Sequence, residues 1–329
     1  MREVIIQRNE AGQRLDKFLG KYMKAAPKSF FYKMLRKKNI TLNGKKAEGS
    51  EKLEEGDRVA LFLSEETIGK FREETKVSYP TARLSILYED EDVVFINKPA
   101  GMLSQKAEAE DVSLTEYLIG NLLANEEITE ESLTTFKPAV CNRLDRNTSG
   151  IVICGKSLHG LQTMSAMLKE RTLEKIYYCI VKGRMTEAQT LEGYLYKDEA
   201  ANRVEIRKTP GEGAAPIKTA YQPLQSNGIC TLLQVELITG RSHQIRAHLA
   251  SIGHPVLGDS KYGDREVNRL FREKYGVQRQ MLHAAQLSLP KDLPELRAAG
   301  HRITAPIPAD MVRVIKGEDL TWQPGEPVG

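Results

Sequence analysis

The apolar segments of this 329-residue chain are short, and turn residues interrupt them throughout. The run at residues 93–96 is typical, and its length suits a buried β-strand. Crossing a bilayer takes about 20 apolar residues, so we expect no transmembrane segment. Strand-like and helix-like segments are mixed without a regular β-α-β alternation. This pattern favours an α+β fold over a doubly wound parallel sheet.

Apolar periodicity predicts individual elements in the larger, C-terminal part of the chain. We expect strands at residues 84–88, 93–97, 151–154, 177–181, 232–237 and 287–289, and helices at 158–169 and 243–251. An acidic stretch at 108–131 is predicted to be partly helical, with leucines along its apolar side.

Basic charge is concentrated at the N-terminus. Residues 1–63 hold 15 lysines and arginines against 8 acidic residues, whereas the rest of the chain holds 33 against 36. Residues 28–46 include seven basic residues and no acidic one. A basic module attached to a near-neutral body predicts a polyanionic partner for the small part. Any chemistry would then belong to the large part.

The N-terminal residues predict two short amphipathic helices, then a hairpin with an Asn43-Gly44 turn. With the phrases RLDKFL and LRKKNITLNGKK, this order resembles the S4 RNA-binding domain. The resemblance implies that basic side chains on the helix faces and at the turn contact RNA. These residues are Lys33, Arg36, Lys37, Lys38 and Lys45. A merely solvated helix face is the alternative interpretation of the basic run.

We therefore divide the chain into an S4-like domain at 1–63, a linker at 64–79 and a catalytic domain at 80–329. The linker is predicted because residues 64–79 carry four glutamates and little periodicity. The four cysteines form no CxxC pair and the N-terminus has no apolar leader, so we expect free thiols and a cytoplasmic location. His243 and His248 lack the HExxH spacing, and no metal site is predicted.

One carboxylate stands out as a candidate for chemistry. Asp145 lies between Arg143 and Arg146, in a polar stretch before the strand at 151–154. Guanidinium groups favour an ionised carboxylate, which could act as a nucleophile at neutral pH. A surface ion pair or a turn cap is the alternative interpretation. Similarly, Tyr177 could be an ordinary core tyrosine.

Several motifs in a fixed order resemble the RluA family of pseudouridine synthases over about residues 84–315. The motifs are INKPAG at 96–101, RLD at 143–145, TSG at 148–150, EKIY at 174–177, TGRSHQIRAHL at 239–249 and GHPVLGD at 253–259. The resemblance implies a bent, largely antiparallel mixed sheet with flanking helices and a cleft across its middle. An S4 domain in front of this catalytic domain is a common arrangement in the family.

The resemblance also implies roles for individual residues. Asp145 is implied to be the nucleophile, and Tyr177 to stack on the flipped base and remove the C5 proton. Arg241 is implied to pair with Asp145, and Arg143 to help fill the stack left by the displaced nucleotide. We also expect Arg146 to bind the RNA substrate. Two positions depart from the family pattern: Asn142 replaces the usual histidine, and Asn147 replaces the usual second aspartate.

Pseudouridine formation breaks the C1′–N1 bond of a uridine and rejoins the base through C5, so no cofactor is expected. The implied partner is RNA, 23S ribosomal RNA by preference and tRNA as the alternative, bound by a monomer. Two other functions remain open at this point. One is a catalytically inactive RNA-binding or ribosome-assembly factor, and the other is an unrelated hydrolase that uses Asp145 with His243 or His248.

Overall fold

The computed structural model describes residues 1–72, 78–198, 203–293 and 296–320. Strands form two separate sheets, one of four strands near the N-terminus and one of eleven strands in the remainder. In the described part of the chain, no helix has both the length and the apolar character needed to cross a membrane.

The N-terminal unit is built on a small antiparallel sheet with strand order β1-β4-β2-β3. Its elements are β1 (Arg2–Ile5), α1 (Leu15–Tyr22), α2 (Lys28–Arg36), β2 (Ile40–Leu42), β3 (Lys45–Lys46), β4 (Arg58–Leu61) and α3 (Glu65–Phe71). The β2–β3 turn has positive φ at both Asn43 (51°) and Gly44 (74°), as a tight two-residue hairpin requires. The two predicted helices and the hairpin are confirmed.

The expectation of a linker at 64–79 is wrong in its first half, because α3 packs on the N-terminal core. Ser64 caps this helix by accepting the amide N–H of Thr67 at 3.2 Å, and Ile68 is fully buried. The glutamates of the first turn, which suggested a solvated linker, also suit a helix N-terminus. Residues 73–77 of the predicted linker lie outside the described residues.

The large unit surrounds an eleven-stranded sheet in which β14 and β8 run parallel and the other paired strands run antiparallel. Along the main path the strand order is β11-β10-β12-β13-β9-β14-β8-β6-β5, with β15 on β14 and β7 on β8. The α+β class and the largely antiparallel mixed sheet are confirmed.

Fifteen strands and eight helices are numbered along the described chain. Those of the large unit are β5 (Ile86–Glu89), β6 (Val93–Lys98), α4 (Leu114–Ala124), β7 (Ala139–Val140), β8 (Ser149–Gly155), α5 (Leu158–Glu170), β9 (Glu174–Lys182), β10 (Gln189–Asp198), β11 (Arg203–Arg207), β12 (Ala215–Ser226), β13 (Cys230–Leu237), α6 (Gln244–Ser251), α7 (Arg265–Tyr275), β14 (Leu282–Ser288), β15 (Arg302–Thr304) and α8 (Ala309–Gly317).

The central strands are buried on both faces, so the side chains that alternate along β9 pack into two different cores. On β9, Tyr177 and Cys179 pack in the core beneath α4 and α6, whereas Ile176 and Tyr178 pack on the opposite side with α7 and α8. Gly150 makes the parallel β8–β14 pairing possible: its φ is 115°, and a Cβ there would lie 2.2 Å from the Ala284 carbonyl oxygen.

Polar side chains join the two units. Arg8 of the N-terminal unit donates to the buried Asp92 at 2.9 Å and pairs with Glu91 at 3.0 Å. Nearby, the Thr135 hydroxyl donates to Glu10 at 2.6 Å in a buried contact. The small unit is therefore held against the edge of the large one by charge and hydrogen bonding.

Candidate active site

Asp145 lies in the loop between β7 and β8 and lines a cleft of about 740 Å³. The same cleft is lined by residues from β9, from the end of β13 and from the segment that leads into α6. The Asp145 side chain is 24% exposed, so its carboxylate is accessible from the cleft but largely surrounded by protein.

The arginine that pairs with Asp145 is Arg246, so the expectation that Arg241 forms this pair is wrong. Arg246 Nη1 donates to Asp145 Oδ2 at 2.7 Å. Arg241 lines the cleft, but its side chain is exposed and makes no ion pair among the described residues. What Arg241 contributes to the local structure is a backbone N–H, which donates to Gln244 Oε1 at 3.1 Å.

A second carboxylate fixes Arg246 from the opposite side. Arg246 Nε and Nη2 donate to the two oxygens of Asp259 at 2.6 and 2.8 Å. Burial disfavours the charge on Arg246, but Asp259 and then Asp145 outweigh this effect and raise its pKa. The guanidinium is 5% exposed and bonded to both carboxylates, so it has little freedom to leave Asp145.

The start of α6 sets the direction of Arg246. His243 has a left-handed backbone, with φ at 56°, immediately before the first helical residue. Gln244 then ties this turn to β12, because its amide donates to the Lys218 carbonyl at 3.1 Å and to Thr219 Oγ1 at 2.9 Å. With the turn fixed, Arg246 points inward from the first turn of the helix while Arg241 remains outside it.

His243 is a site residue to which the family resemblance assigned no role. Its Nε2 lies 4.0 Å from Asp145 Oδ1, and its Nδ1 lies 3.0 Å from the Tyr262 hydroxyl. That hydroxyl already accepts the Val204 N–H at 2.8 Å, so its own proton is available for Nδ1. Burial lowers the pKa of His243, with Asp145 opposing this shift. A neutral ring would therefore present its Nε2–H towards Asp145 and the cleft.

The Asp145 loop is braced on both sides. Ser104 Oγ accepts the Leu144 N–H and donates to the Leu144 carbonyl, both at 3.0 Å. Lys98, which is fully buried, donates to the carbonyls of Pro99, Met102 and Arg146 at 3.0, 2.9 and 3.2 Å. The INKPAG segment thus positions the Asp145 loop through backbone contacts.

Burial at this position disfavours the charged form of Lys98. Burial lowers its pKa to about 7, although the nearby Asp145 carboxylate favours the charged form. All three N–H donors of the ammonium group have carbonyl acceptors, which explains how a lysine is accommodated at this depth.

Tyr177 lines the cleft next to Asp145 and is 7% exposed. Burial raises its pKa well above the usual range, and the negative charge of Asp145 raises it further. The hydroxyl is therefore protonated at neutral pH in the unliganded site. Its aromatic ring lies at the wall of the cleft, a position that suits a stacked base.

The two departures from the family pattern occupy different positions. Asn142 Oδ1 accepts the Ile153 N–H at 2.7 Å, so this side chain completes the hydrogen bonding of β8. Asn147 is exposed, and its backbone carbonyl accepts from Arg279 Nη1 at 3.3 Å. Neither asparagine is bonded to Asp145.

The predicted RNA-binding residues lie on the surface. Arg143 is exposed and lines the cleft, whereas the Nε of exposed Arg146 donates to the Gly101 carbonyl at 3.1 Å. The five basic residues predicted for the N-terminal unit, Lys33, Arg36, Lys37, Lys38 and Lys45, are all exposed. Their contacts with RNA stay a prediction.

Comparisons with known proteins place this site in a family. Residues 92–251 match the family model described as RNA pseudouridylate synthase, and residues 13–59 match that of the S4 domain. The ribosomal large subunit pseudouridine synthase C of Vibrio cholerae is 30% identical over 324 residues, which cover 94% of each chain. The chain belongs to the RNA pseudouridylate synthase family. It is an RNA pseudouridine synthase, and the hydrolase interpretation is wrong.

Other relatives agree. The enzyme of the same name from Escherichia coli K12 is 33% identical over 299 residues, covering 86% of this chain and 87% of that protein. Among solved structures, human RNA pseudouridylate synthase domain containing 4 has a TM-score of 0.57 at 23% identity, covering 71% of this chain and 93% of that one. Human RNA pseudouridylate synthase domain containing 1 has a TM-score of 0.50 at 24% identity, with 74% and 99% covered. These two support the fold.

Proposed function

We propose that this synthase converts specific uridines of 23S ribosomal RNA into pseudouridine, with Asp145 as the nucleophile. The substrate class follows from the relatives with long matching segments, which are named for the ribosomal large subunit. The S4 domain in front of the catalytic domain fits a structured RNA substrate.

The arrangement of the Asp145 carboxylate supports the assigned role. Oδ2 is engaged by Arg246, so the pair fixes the direction of the carboxylate. Oδ1 lies on the side of His243, whose Nε2 is 4.0 Å away, beyond ordinary hydrogen-bonding distance. Oδ1 is therefore the oxygen we assign to C1′ of a uridine flipped into the cleft.

The steps balance without an added reactant. Asp145 Oδ1 bonds to C1′, or stabilises its cationic character, as the C1′–N1 bond breaks and the electron pair leaves with the uracil. The uracil rotates, C5 bonds to C1′, and Asp145 is released. The proton on C5 must then be removed and one placed on N1, so no oxidant, water or group donor is consumed.

Tyr177 is proposed to stack on the uracil and to accept the C5 proton. Because burial and the charge of Asp145 raise the pKa of Tyr177, the hydroxyl is protonated at neutral pH. It therefore accepts the C5 proton as its own proton passes to N1 of the uracil, where the electron pair of the broken bond resides.

We also propose that the enzyme acts as a monomer in the cytoplasm. One chain supplies every residue that we assign to the cleft. Light scattering at micromolar concentration tests this proposal: a mass near 36.9 kDa is expected. A stable dimer would contradict it.

The substrate is tested by tritium release from RNA labelled at uridine C5. Transcripts of 23S rRNA and a bulk tRNA preparation are compared, because tRNA is the alternative substrate. Release from 23S rRNA alone supports the proposal, and release from tRNA alone overturns the choice of substrate. Absence of release from both, with tight RNA binding intact, would favour an inactive RNA-binding or ribosome-assembly factor.

A further inference from the structure

One buried cation in the cleft has no hydrogen-bond acceptor or ion-pair partner among the described residues. Lys175 is 9% exposed and lies on β9, two residues before Tyr177 and on the same face of the strand. It lines the cleft that contains Asp145. Within the described parts of the chain, no carboxylate or carbonyl is bonded to its ammonium group, in contrast to the three acceptors around Lys98.

Two more cations converge on the same wall. Lys169 and Arg171 come from the end of α5, are exposed and line the cleft. Burial lowers the pKa of Lys175, and repulsion from Arg171 lowers it further. The charge of Glu236 opposes this shift of the Lys175 pKa, but no ion pair joins the two side chains among the described residues. Glu174 accepts the Ser288 hydroxyl at 2.8 Å.

The backbone at Arg171 is strained. Arg171 ends α5 with φ at 63°, in the left-handed region where glycine is the usual residue. The end of α7 has the same conformation and does use glycine, at Gly276 with φ at 71°. An Arg171→Gly variant therefore removes the side chain and relieves the backbone at the same time.

We propose that Lys175, Arg171 and Lys169 form a phosphate-binding subsite for the RNA backbone next to the flipped nucleotide. This inference rests on the proposed function, because it places the subsite about two strand residues, roughly 7 Å, from the base platform at Tyr177. A phosphodiester would supply the missing anion for Lys175, and a guanidinium suits its paired oxygens. The subsite would set the position of the sugar so that C1′ faces Asp145.

The test measures single-turnover tritium release and RNA binding for matched variants. Lys175→Gln should raise the enzyme concentration that gives the half-maximal rate about tenfold, because RNA binding is weakened. The maximal rate should fall by a smaller factor than this. The slope of log affinity against log salt should fall by roughly 0.7–0.9. Lys175→Arg should restore most of the slope. Lys316→Gln is the control, because it removes an exposed lysine from α8, which packs on the other side of the sheet.

Arg171→Gly separates a ligand contact from a structural role. It relieves the strained backbone, so its melting temperature should rise by roughly 2–4 °C while RNA affinity and salt slope fall. Glu126→Gly is the matched control, since Glu126 is exposed beyond the end of α4 with φ at 60°. It should be stabilised without loss of RNA affinity. If Arg171→Gly lowered both the melting temperature and the RNA affinity, Arg171 would have a structural role and the proposed subsite would be wrong.

The experiment distinguishes an error in the proposed subsite from an error in the proposed function. If wild type releases tritium from 23S rRNA and Lys175→Gln keeps the wild-type affinity and salt slope, the subsite is wrong and the function stands. If wild type releases no tritium from any RNA, the proposed function fails. Binding isotherms with the same transcripts then still decide whether Lys175 contacts a phosphate.

Discussion

The guanidinium of Arg246 donates one hydrogen bond to Asp145 at 2.7 Å and two to the buried Asp259. The proposed nucleophile is thus aligned by a cation that is itself immobilised. This relationship links the TGRSHQIRAHL and GHPVLGD motifs to the RLD motif, although Asp145 and Arg246 are 101 residues apart.

Arg246→Lys should lower the single-turnover rate by about 100-fold or more. A lysine cannot bond both carboxylates in the geometry of the guanidinium fork, and small errors in orientation are costly at a reacting atom. Arg241→Lys is the control, being the same change at an exposed cleft residue without an ion pair. It should mainly weaken RNA binding. Equal losses of maximal rate in both variants would contradict the assignment of Arg246.

Lys98→Met should change how stability depends on pH. The pKa of Lys98 is about 7 when folded and near 10.4 when unfolded, so the unfolded state holds the extra proton between these values. Relative to Lys98→Met, wild type should therefore gain up to about 1.4 kcal/mol of unfolding free energy per pH unit from pH 7 to 10. Below pH 7 the difference should be flat. Urea titrations across this range measure it, and a constant difference throughout would refute the shifted pKa.

Tyr177→Phe should separate two steps of the reaction. The ring remains for stacking, so RNA affinity should change by less than about twofold. Without the hydroxyl, tritium release should slow by about 100-fold, within the range for a lost general base, while cleavage of the C1′–N1 bond persists. Tyr178→Phe, on the opposite face of β9, is the control. Wild-type tritium release from Tyr177→Phe would rule out the hydroxyl as the proton acceptor.

The two asparagines should respond differently to alanine. Asn142→Ala leaves the Ile153 N–H without its acceptor and should cost about 1–3 kcal/mol of stability. Asn147→Ala should change stability by less than about 0.5 kcal/mol, because Asn147 is exposed and its bond to Arg279 uses the backbone carbonyl. Denaturant unfolding measures both. Similar values for the two variants would show that Asn142 does not support β8.

The lysines of the N-terminal unit should affect RNA affinity and not the maximal rate of the reaction. The double change Lys33→Gln and Lys37→Gln should reduce the salt dependence of RNA affinity by roughly 1.4–1.8. The maximal rate at saturating enzyme should stay within about twofold, since both side chains lie on the N-terminal unit. An unchanged salt slope would show that this face does not contact the RNA.

The sequence predicted the elements with dense apolar patterns and missed those without them. The strands at 151–154, 177–181 and 232–237 are confirmed as parts of β8, β9 and β13, whose residues are mostly buried. β10 and β11 were missed because few of their residues are buried: β11 is the edge strand of the sheet and β10 is the next strand inward. Such strands form through pairing with neighbours, which a local pattern does not reveal.

The choice between Arg241 and Arg246 depended on backbone geometry. Both arginines belong to one motif, and the left-handed turn at His243 decides which one points inward. A signal was available in Asp259, a carboxylate in an apolar, turn-rich motif that would need a buried cation. The place of His243 in the synthase site and the role of Lys98 were missed for a similar reason, because they arise from contacts between distant segments.

The most direct test of the account is single-turnover tritium release from 23S rRNA by Asp145→Asn. The amide is close in shape to the carboxylate, and its oxygen can still accept from Arg246, so the melting temperature should stay near that of wild type. The account predicts that release falls to background while RNA binding is retained. Release at the wild-type rate would contradict the role of Asp145 as the nucleophile.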